Sequence, residues 1–439
     1  MHVYPAELVA HLLNCWESTA VAQDASKAPF PLPPAAALEH LIATCYQVSM
    51  MREEGRRVTL RLILVDPDLF PAHDGPPVGF HRLLFTTPLP FNEYELRNLS
   101  PSVDFERSLL GIQLHPEKGC QIWGIINSGL RWLQQERGGS RKVNQLPDAL
   151  VLQLPGPGML TVCRGSRIVA TLNGGRLANA TANPFQSAWI RRLYAPQHAA
   201  LLAQHETFRA SVRYPVARID ANFIASLQFQ MFKRIISVTR MARHGGTFLI
   251  FPEAEPAELA AENPMVLLSY RLQDDKAIRR QRRLLMRTIR LATTAMGDSG
   301  NPDRLVTWQD YLDLRTRPAI YELEEAFYEQ AQFVAGLAAV EGAVVLGERG
   351  VLGFGAIIVA SFSHLTEVGL AGDNEGKVVR PVPIEDYGSR HYSTYQLCNS
   401  CHGMLAIIVS QDAGVQLCTW RNGLATCWHL TAEMFVNNT

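Results

Sequence analysis

Residues 387–415 read YGSRHYSTYQLCNSCHGMLAIIVSQDAGV, and this stretch decides how the C-terminal half of the chain is interpreted. The unbroken apolar run at 405–409 is typical of a strand that is buried on both faces. The segment GSRHYS before it combines glycine, hydroxyl, arginine and histidine groups, which suit the recognition of phosphate. The stretch therefore predicts an anion-binding loop that leads into a core strand.

The same stretch contains CNSCH, which runs from Cys398 to His402 and is also the pattern that attaches a c-type haem. Haem attachment requires export, and the N-terminal segment MHVYPAELVAHLLNCWE lacks the basic start of a secretory signal. A zinc site would need a second ligand pair, which Cys418 and Cys427 supply only if the fold gathers all four thiols. We therefore predict a cytoplasmic protein with no haem and no zinc, whose cysteines pack beside a core strand.

Composition limits the classes of partner. The chain has 439 residues, 47% of them hydrophobic, which predicts two or three packed domains. Its formal net charge is zero, whereas binding to a nucleic-acid polymer normally leaves a basic excess. No apolar run approaches the about 18 residues that a membrane span needs. We therefore expect binding to neither a nucleic-acid polymer nor a membrane. A small anionic ligand needs only a few cations and stays compatible with this composition.

The pattern of apolar residues changes along the chain. Residues 1–200 start with helical segments and continue as short apolar runs separated by Gly and Pro, which predicts a β-rich domain. From 201 to 439, helical periodicity alternates with strand-like runs. We predict an α/β fold class with mixed α+β character: the β-rich domain comes first, and helices flank a mostly buried mixed sheet in the second. A helical insertion is expected at about 254–319.

A predicted helix near 275–295 carries a basic cluster, and two interpretations of it are open. Its members are Arg279, Arg280, Arg282, Arg283, Arg287 and Arg290. The cluster could form a surface for an anion or a partner, or a solvated face whose charges are balanced elsewhere. The zero net charge favours the solvated face.

Several motifs occur in an order that resembles a known family. A predicted helix ends in HGG at 244–246 before the strand TFLIFP, and then come EGA from Glu341, RHY from Arg390 and SQD from Ser410. This order resembles the diadenylate cyclase (DAC) domain family, also called DisA N-terminal-like, whose corresponding motifs are DGA, RHR and SEE. The resemblance spans roughly 205–430 and rests on the combination, since each motif alone is weak. With its β-rich N-terminal half, the whole chain resembles the DACNV-type probable sensor proteins.

The resemblance implies roles for individual residues. In the DAC family the Asp of DGA and the last Glu of SEE bind the metal that activates a ribose hydroxyl, and RHR engages the phosphates. The matching metal ligands here are Glu341 and Asp412, which would hold magnesium or manganese with the nucleotide. The nucleotide-binding positions would be Gly342, Ala343, Gly388, Ser389, Arg390, His391, Tyr392, Ser410 and Gln411.

This chain departs from the family pattern at three of these positions. Glu341 replaces Asp and Asp412 replaces Glu, so that a long and a short carboxylate are exchanged around a metal that demands strict geometry. Tyr392 replaces the second Arg and removes a cation that phosphoryl transfer would use. Purely structural roles stay open for Gly342 and Ala343 in packing, for Ser410 and Gln411 at a strand end, and for His391.

The favoured interpretation is a sensor that binds a nucleotide or cyclic dinucleotide second messenger at a degenerate cyclase-like site, a pseudoenzyme. The first alternative is an active diadenylate cyclase that makes cyclic di-AMP from two ATP. The second is a protein-interaction module. A homo-oligomer is left open, and so is the identity of the signalling partner.

Overall fold

The protein, described here by a computed structural model, divides into two compact units with the main boundary between Ala180 and Thr181. The structure describes residues 5–17, 30–76, 79–105, 107–129, 146–165, 167–173, 175–179, 183–242, 244–252, 259, 265–273, 279–297, 303–315, 317–348, 350–359, 365–411 and 414–430. Each unit has hydrophobic clusters of its own.

The first unit is built on an eight-stranded sheet. Its helices are α1 (Pro5–Cys15), α2 (Ala35–Ser49) and α3 (Glu93–Leu99). Its strands are β1 (Arg52–Glu53), β2 (Arg56–Arg57), β3 (Leu60–Leu64), β4 (His81–Pro90), β5 (Ser108–His115), β6 (Gly119–Asn127), β7 (Leu150–Gly156), β8 (Met159–Arg164), β9 (Arg167–Asn173) and β10 (Arg176–Asn179). The sheet order is β10-β9-β8-β7-β3-β5-β6-β4, with β3 and β5 parallel and the other pairs antiparallel.

Both faces of this sheet are covered by apolar side chains. Leu60 and Leu62 of β3 join the cluster that contains α1 and α2 residues, whereas Ile63 and Val65 join a cluster around Trp123. Successive side chains of a strand point to opposite faces, so the two clusters lie on opposite sides of the sheet. This unit is rich in β-strands and its main boundary lies at Ala180, whereas the sequence predicted that the first domain extends to residue 200.

The second unit is an α/β unit. Its helices are α4 (Ala188–Ser211), α5 (Ala221–Ala242), α6 (Arg280–Gly297), α7 (Trp308–Leu314), α8 (Pro318–Leu337) and α9 (Ser389–Ser400). Its strands are β11 (Arg218–Ile219), β12 (Gly246–Ile250), β13 (Val266–Arg271), β14 (Leu305–Val306), β15 (Ala343–Gly347), β16 (Gly350–Ile358), β17 (Glu367–Ala371), β18 (Val379–Pro383), β19 (Leu405–Val409), β20 (Val415–Arg421) and β21 (Leu424–Leu430). The main sheet has the order β13-β16-β15-β12-β19-β20-β21-β17-β18, and the predicted α/β fold with a mixed sheet is confirmed.

The centre of this sheet is buried on both faces. Phe248 and Ile250 of β12 face the cluster formed with α5, α6 and α8, while Leu249 faces the cluster formed with α9. The same alternation divides the residues of β19 between the two clusters. A strand that is covered on both faces needs an apolar residue at every position, which explains the unbroken run at 405–409.

Two local expectations are corrected by the structure. The segment GSRHYS is not a loop, because Ser389 begins helix α9. The insertion expected to be helical at about 254–319 contains strand β13, whose residues pair with β16. The apolar runs after 404 form the three antiparallel strands β19, β20 and β21, and the chain turns between the last two at Asn422, which has a positive φ of 51°.

Within the described ranges, no helix has both the length and the apolar character needed to cross a membrane.

Candidate functional site

Three strands bring the predicted motifs to the same end of the main sheet. Thr247 near the start of β12 is paired with Ala343 at the start of the parallel strand β15, and with Ile408 near the end of the antiparallel strand β19. The segments that precede β12 and β15 and the segment that follows β19 therefore meet at one sheet end. Neighbouring strands lie about 4.8 Å apart, so the starts of β15 and β12 and the end of β19 lie within roughly 10 Å of one another.

Arg390 reaches the same end of the sheet from the first turn of α9. A Cβ atom added to Gly245 would lie 2.8 Å from Nη1 of Arg390 and 2.8 Å from the carbonyl oxygen of Val409. It would also lie 3.3 Å from the backbone nitrogen of Gln411. The Arg390 guanidinium thus contacts the turn before β12, next to the end of β19. We call this region, defined by Gly245, Glu341, Arg390, Ser410 and Gln411, the Arg390 edge.

The residues of the EGA motif have different surroundings. Glu341 is exposed, Gly342 is half-buried and Ala343 is buried in the cluster on the α9 side of the sheet. Gly342 has a φ of +106°, and a Cβ atom there would lie 2.7–2.8 Å from backbone atoms of Gly355 and Ala356. Position 342 therefore requires glycine, because β16 leaves no room for a side chain. Glu341 is the exposed side chain of this motif.

The residues of the RHY motif also separate. Arg390 is exposed, whereas the His391 ring lies 5.8 Å from that of Tyr387 and 5.9 Å from that of Tyr395. Tyr392 packs against the cluster on the α9 side of the sheet. Tyr392 stands where the RHR motif has its second Arg. It packs against the sheet instead and brings no cation to the Arg390 edge.

The start of α9 adds backbone donors beside Arg390. Gly388 is the N-cap residue and, as a glycine, has no side chain to accept hydrogen bonds from the first N–H groups of the helix. Gly388 and Ser389 are exposed, so the first-turn N–H groups face solvent near the Arg390 side chain. Helix N-termini attract anions, because unsatisfied N–H groups and the helix dipole both favour negative charge. This feature supplements the Arg390 guanidinium.

The SQD motif follows β19 in a tight turn. The backbone N–H of Ser410 donates to the carbonyl oxygen of Gly414 at 2.8 Å. Gln411 is exposed next to the Arg390 edge. Asp412, the second predicted metal ligand, lies outside the described residues. In the part of the chain that is described, no group of three or more His, Cys, Asp or Glu side chains is arranged to hold a metal ion.

Sequence analysis did not identify Gly245 as part of this site. The residue was interpreted as the end of the preceding helix and as part of the HGG motif, but not as a site residue. Its φ of +68° and its contact with Arg390 give it a second role, because a side chain here would displace the guanidinium or strain the backbone. The signal was available in the Gly-Gly pair directly before a buried strand.

We expect Gly245→Ala to lower the free energy of unfolding by roughly 1–2 kcal/mol, the usual cost of a left-handed conformation for a non-glycine residue. The added Cβ would also press on the carbonyl oxygen of Val409, which cannot move as freely as the Arg390 side chain. Gly336→Ala in α8 is the matched control, since nothing lies within 4 Å of its Cβ position. Urea denaturation of both variants measures the difference, and equal stability would contradict this account of Gly245.

The four C-terminal cysteines lie in the core and not at the Arg390 edge. Cys398, Cys401, Cys418 and Cys427 are all buried in the cluster on the α9 side of the sheet. The Sγ atoms of Cys418 and Cys427, which are cross-strand neighbours, are 3.2 Å apart, and burial raises the pKa of Cys418 well above its usual range. His402 is exposed, and its ring stacks on Trp420 at 3.9 Å. The thiols and the imidazole of CNSCH therefore point to different environments.

These thiols are expected to be unreactive in the native protein. Burial keeps Cys418 protonated, and only a thiolate is nucleophilic. A thiol-reactive dye should label Cys15, which is half-buried, before the four core cysteines, which become accessible on unfolding. Elemental analysis should find no stoichiometric zinc. About one zinc per chain, lost in Cys401→Ser, would contradict this prediction.

A separate small cavity lies at the other end of β12 and β15. It has a volume of about 50 Å³ and is bordered by Ile250, Leu346 and Tyr194, among others. Pockets that take drug-sized ligands typically measure about 300–1,000 Å³. The cavity is therefore too small for a nucleotide.

Comparison with known families gives one match, in the first unit. Residues 27–127 match the family described as Probable sensor domain DACNV. The DACNV match includes α2 and ends at Asn127 with strand β6. It covers less than a quarter of the chain and does not reach the Arg390 edge. A sensor role fits this segment. No curated protein matches the chain.

Proposed function

We propose that the second unit binds a nucleotide or a cyclic dinucleotide at the Arg390 edge and does not turn it over. The observation that carries this proposal is the position of the Arg390 guanidinium at Gly245, where two strands begin and a third ends. Arginine is well suited to phosphate because its planar fork presents several donors and keeps its charge. The sensor description of residues 27–127 is consistent with a binding role.

Glu341 is suited to a metal ion that arrives with the ligand. Magnesium is usually held by one or two carboxylates together with phosphate oxygens and water. The exposed Glu341 carboxylate fits that part of the requirement. A bound magnesium or manganese ion would offset phosphate charge there, while Arg390 would orient the phosphates from α9.

We expect no turnover because of Tyr392. Cyclisation needs positive charge where charge develops on the transferring phosphate, and a lost contact of this kind commonly costs about 10²-fold or more in rate. Tyr392 is half-buried against the cluster on the α9 side of the sheet and supplies no such charge. Binding of one nucleotide does not depend on this position, so binding without turnover is the expected behaviour.

Incubation of the purified protein with ATP and manganese tests this expectation. Chromatography should show ATP unchanged and no cyclic di-AMP. The variant Tyr392→Arg, which restores the RHR pattern, serves as a comparison. Multiple turnover by the unmodified protein that is abolished by Glu341→Ala would replace the sensor proposal with an active cyclase.

A further inference from the structure

One face of helix α6 is positively charged and uncompensated. Arg283, Arg287 and Arg290 are exposed and follow one another at spacings of four and three residues, which places them on one side of the helix. The helix contains no acidic residue. Of the six clustered arginines, Arg282 is ion-paired with Glu348 at 2.9 Å. Arg283 and Arg287 form no ion pair with any residue that the structure describes.

Helix α8 has a face of the opposite sign. Glu322, Glu325 and Glu329 follow one another at spacings of three and four residues, and the helix contains no basic residue. Glu322 and Glu329 are exposed, and Glu325 is half-buried. Tyr321 and Phe333, exposed by 41% and 56%, lie on the same side of the helix. This face therefore combines three carboxylates with two large apolar side chains that have no cover.

The two faces are complementary when the helices run antiparallel. The order of spacings in α6, four and then three, is the reverse of that in α8. Antiparallel contact would oppose Arg283 to Glu329, Arg287 to Glu325 and Arg290 to Glu322. Each set extends over about 10.5 Å at 1.5 Å per residue, so all three pairs can form together.

The two helices are neighbours in the second unit, where α6 packs against α8. A two-fold axis would therefore bring α6 of one copy onto α8 of the other and repeat the contact in the opposite direction. Single surface ion pairs contribute little, but this arrangement gives six pairs and covers Phe333 and Tyr321 of both copies.

We propose that two copies of this chain associate through these faces, α6 of each against α8 of the other. The zero net charge of the chain is consistent with a basic face whose balancing charges lie on a second copy. A separate acidic partner is not required, because the chain carries a matching acidic face itself. The Arg390 edge is not part of this contact.

Charge reversal with mixing tests the proposal. The first variant carries Arg283→Glu, Arg287→Glu and Arg290→Glu, and the second carries Glu322→Arg, Glu325→Arg and Glu329→Arg. Each variant alone would oppose like charges across both contacts, so sedimentation should show dimerisation weakened by at least about tenfold. An equal mixture should restore a dimer that contains one copy of each variant. Raising the salt concentration should weaken the dimer of the unmodified protein.

Arg380→Glu and Glu385→Arg are the controls, since both residues are exposed in the second unit away from α6 and α8. They should leave the dimer unchanged.

If circular dichroism shows that a triple variant does not fold, the same measurements are made on Arg287→Glu, Glu325→Arg and their mixture. An unmodified protein that stays monomeric at about 100 µM, far above typical Kd values of specific dimers, would overturn the proposal. A mixture that fails to dimerise would also overturn it, as would variants that dimerise like the unmodified protein. Binding of anionic lipid vesicles by a monomer, lost in the arginine variant, would assign the basic face to a membrane instead.

Discussion

Replacing Glu324 with alanine is expected to lower the free energy of unfolding of the second unit by about 3–5 kcal/mol. Glu324 is 1% exposed and lies on the buried, apolar side of α8, which faces residues of α5 and α7. Its carboxylate accepts hydrogen bonds from Arg234 and Tyr311, and Arg315 Nη2 lies 3.1 Å from its Oε2. Without it, two arginines would remain close together with no negative charge between them.

The same carboxylate makes stability depend on pH. Burial alone raises the pKa of Glu324, but the charges of Arg234 and Arg315 and the hydrogen bond from Tyr311 outweigh burial and hold the pKa below its ordinary value. A pKa that is depressed in the folded state stabilises the fold above the unfolded pKa of about 4.3. This contribution is lost as the pH falls through the lower, folded value.

Urea denaturation followed by tryptophan fluorescence measures the effect of Glu324→Ala. Glu385→Ala, at an exposed position, is the control and should change the free energy by less than about 0.5 kcal/mol. A second variant carries leucine or methionine in place of all three of Glu324, Arg234 and Arg315. Its free energy of unfolding should recover most of the decrease caused by Glu324→Ala, because no unpaired charge remains. If Glu324→Ala is no more destabilising than Glu385→Ala, the buried network does not have the role assigned to it.

Replacing Arg390 with alanine is expected to weaken nucleotide binding by about 1.5–3 kcal/mol, the usual size of a hydrogen bond to a charged group. This corresponds to roughly 10- to 150-fold in Kd. The reason is the contact of the guanidinium with the turn at Gly245, which fixes its charge at the sheet end. Arg390→Lys should retain part of the affinity, because it keeps the charge but loses the planar fork.

Calorimetric titration of the variants gives the comparison. Arg380→Ala is a matched control, because Arg380 is exposed in β18, the edge strand of the same sheet. It should bind nucleotide like the unmodified protein. Equal affinity in Arg390→Ala and Arg380→Ala would place the ligand elsewhere on the chain.

The central strands were predictable because their signals are local. FLIF at 248–251 and the run at 405–409 are apolar at every position, as is typical of strands covered on both faces. A helix that ends before HGG at 244–246 was predicted, and helix α5 is observed at Ala221–Ala242, since its apolar residues repeat at three and four positions. Each of these signals lies within the element that it predicts.

Helix α9 was missed because its sequence lacks that signal. Its buried positions include Thr394 and Gln396, so no apolar stripe distinguishes one side of SRHYSTYQLCNS. The helix is instead held by tertiary contacts, such as the hydrogen bond from the buried Tyr395 hydroxyl to Gln416. Tertiary packing can override weak local preference in this way.

The composition of the Arg390 edge was predictable only in part. Motif order identified Glu341 and Arg390, but the contact between Arg390 and Gly245 joins residues that are far apart in sequence. The packing of Tyr392 against the cluster depends on which side of α9 it lies on, and α9 was expected to be a loop. The sequence therefore identified candidate side chains, and the fold determines which of them are exposed at this edge.

Equilibrium dialysis against adenosine, AMP, ATP and cyclic di-AMP tests the central claim most directly, because these compounds share a base and differ in phosphate. The account predicts that at least one phosphorylated compound is retained at about one nucleotide per chain, with a Kd well below 1 mM, and that adenosine is not. Retention of adenosine as strong as that of the nucleotides would contradict recognition of phosphate by Arg390. Failure to retain any of the four compounds would contradict nucleotide binding at this edge.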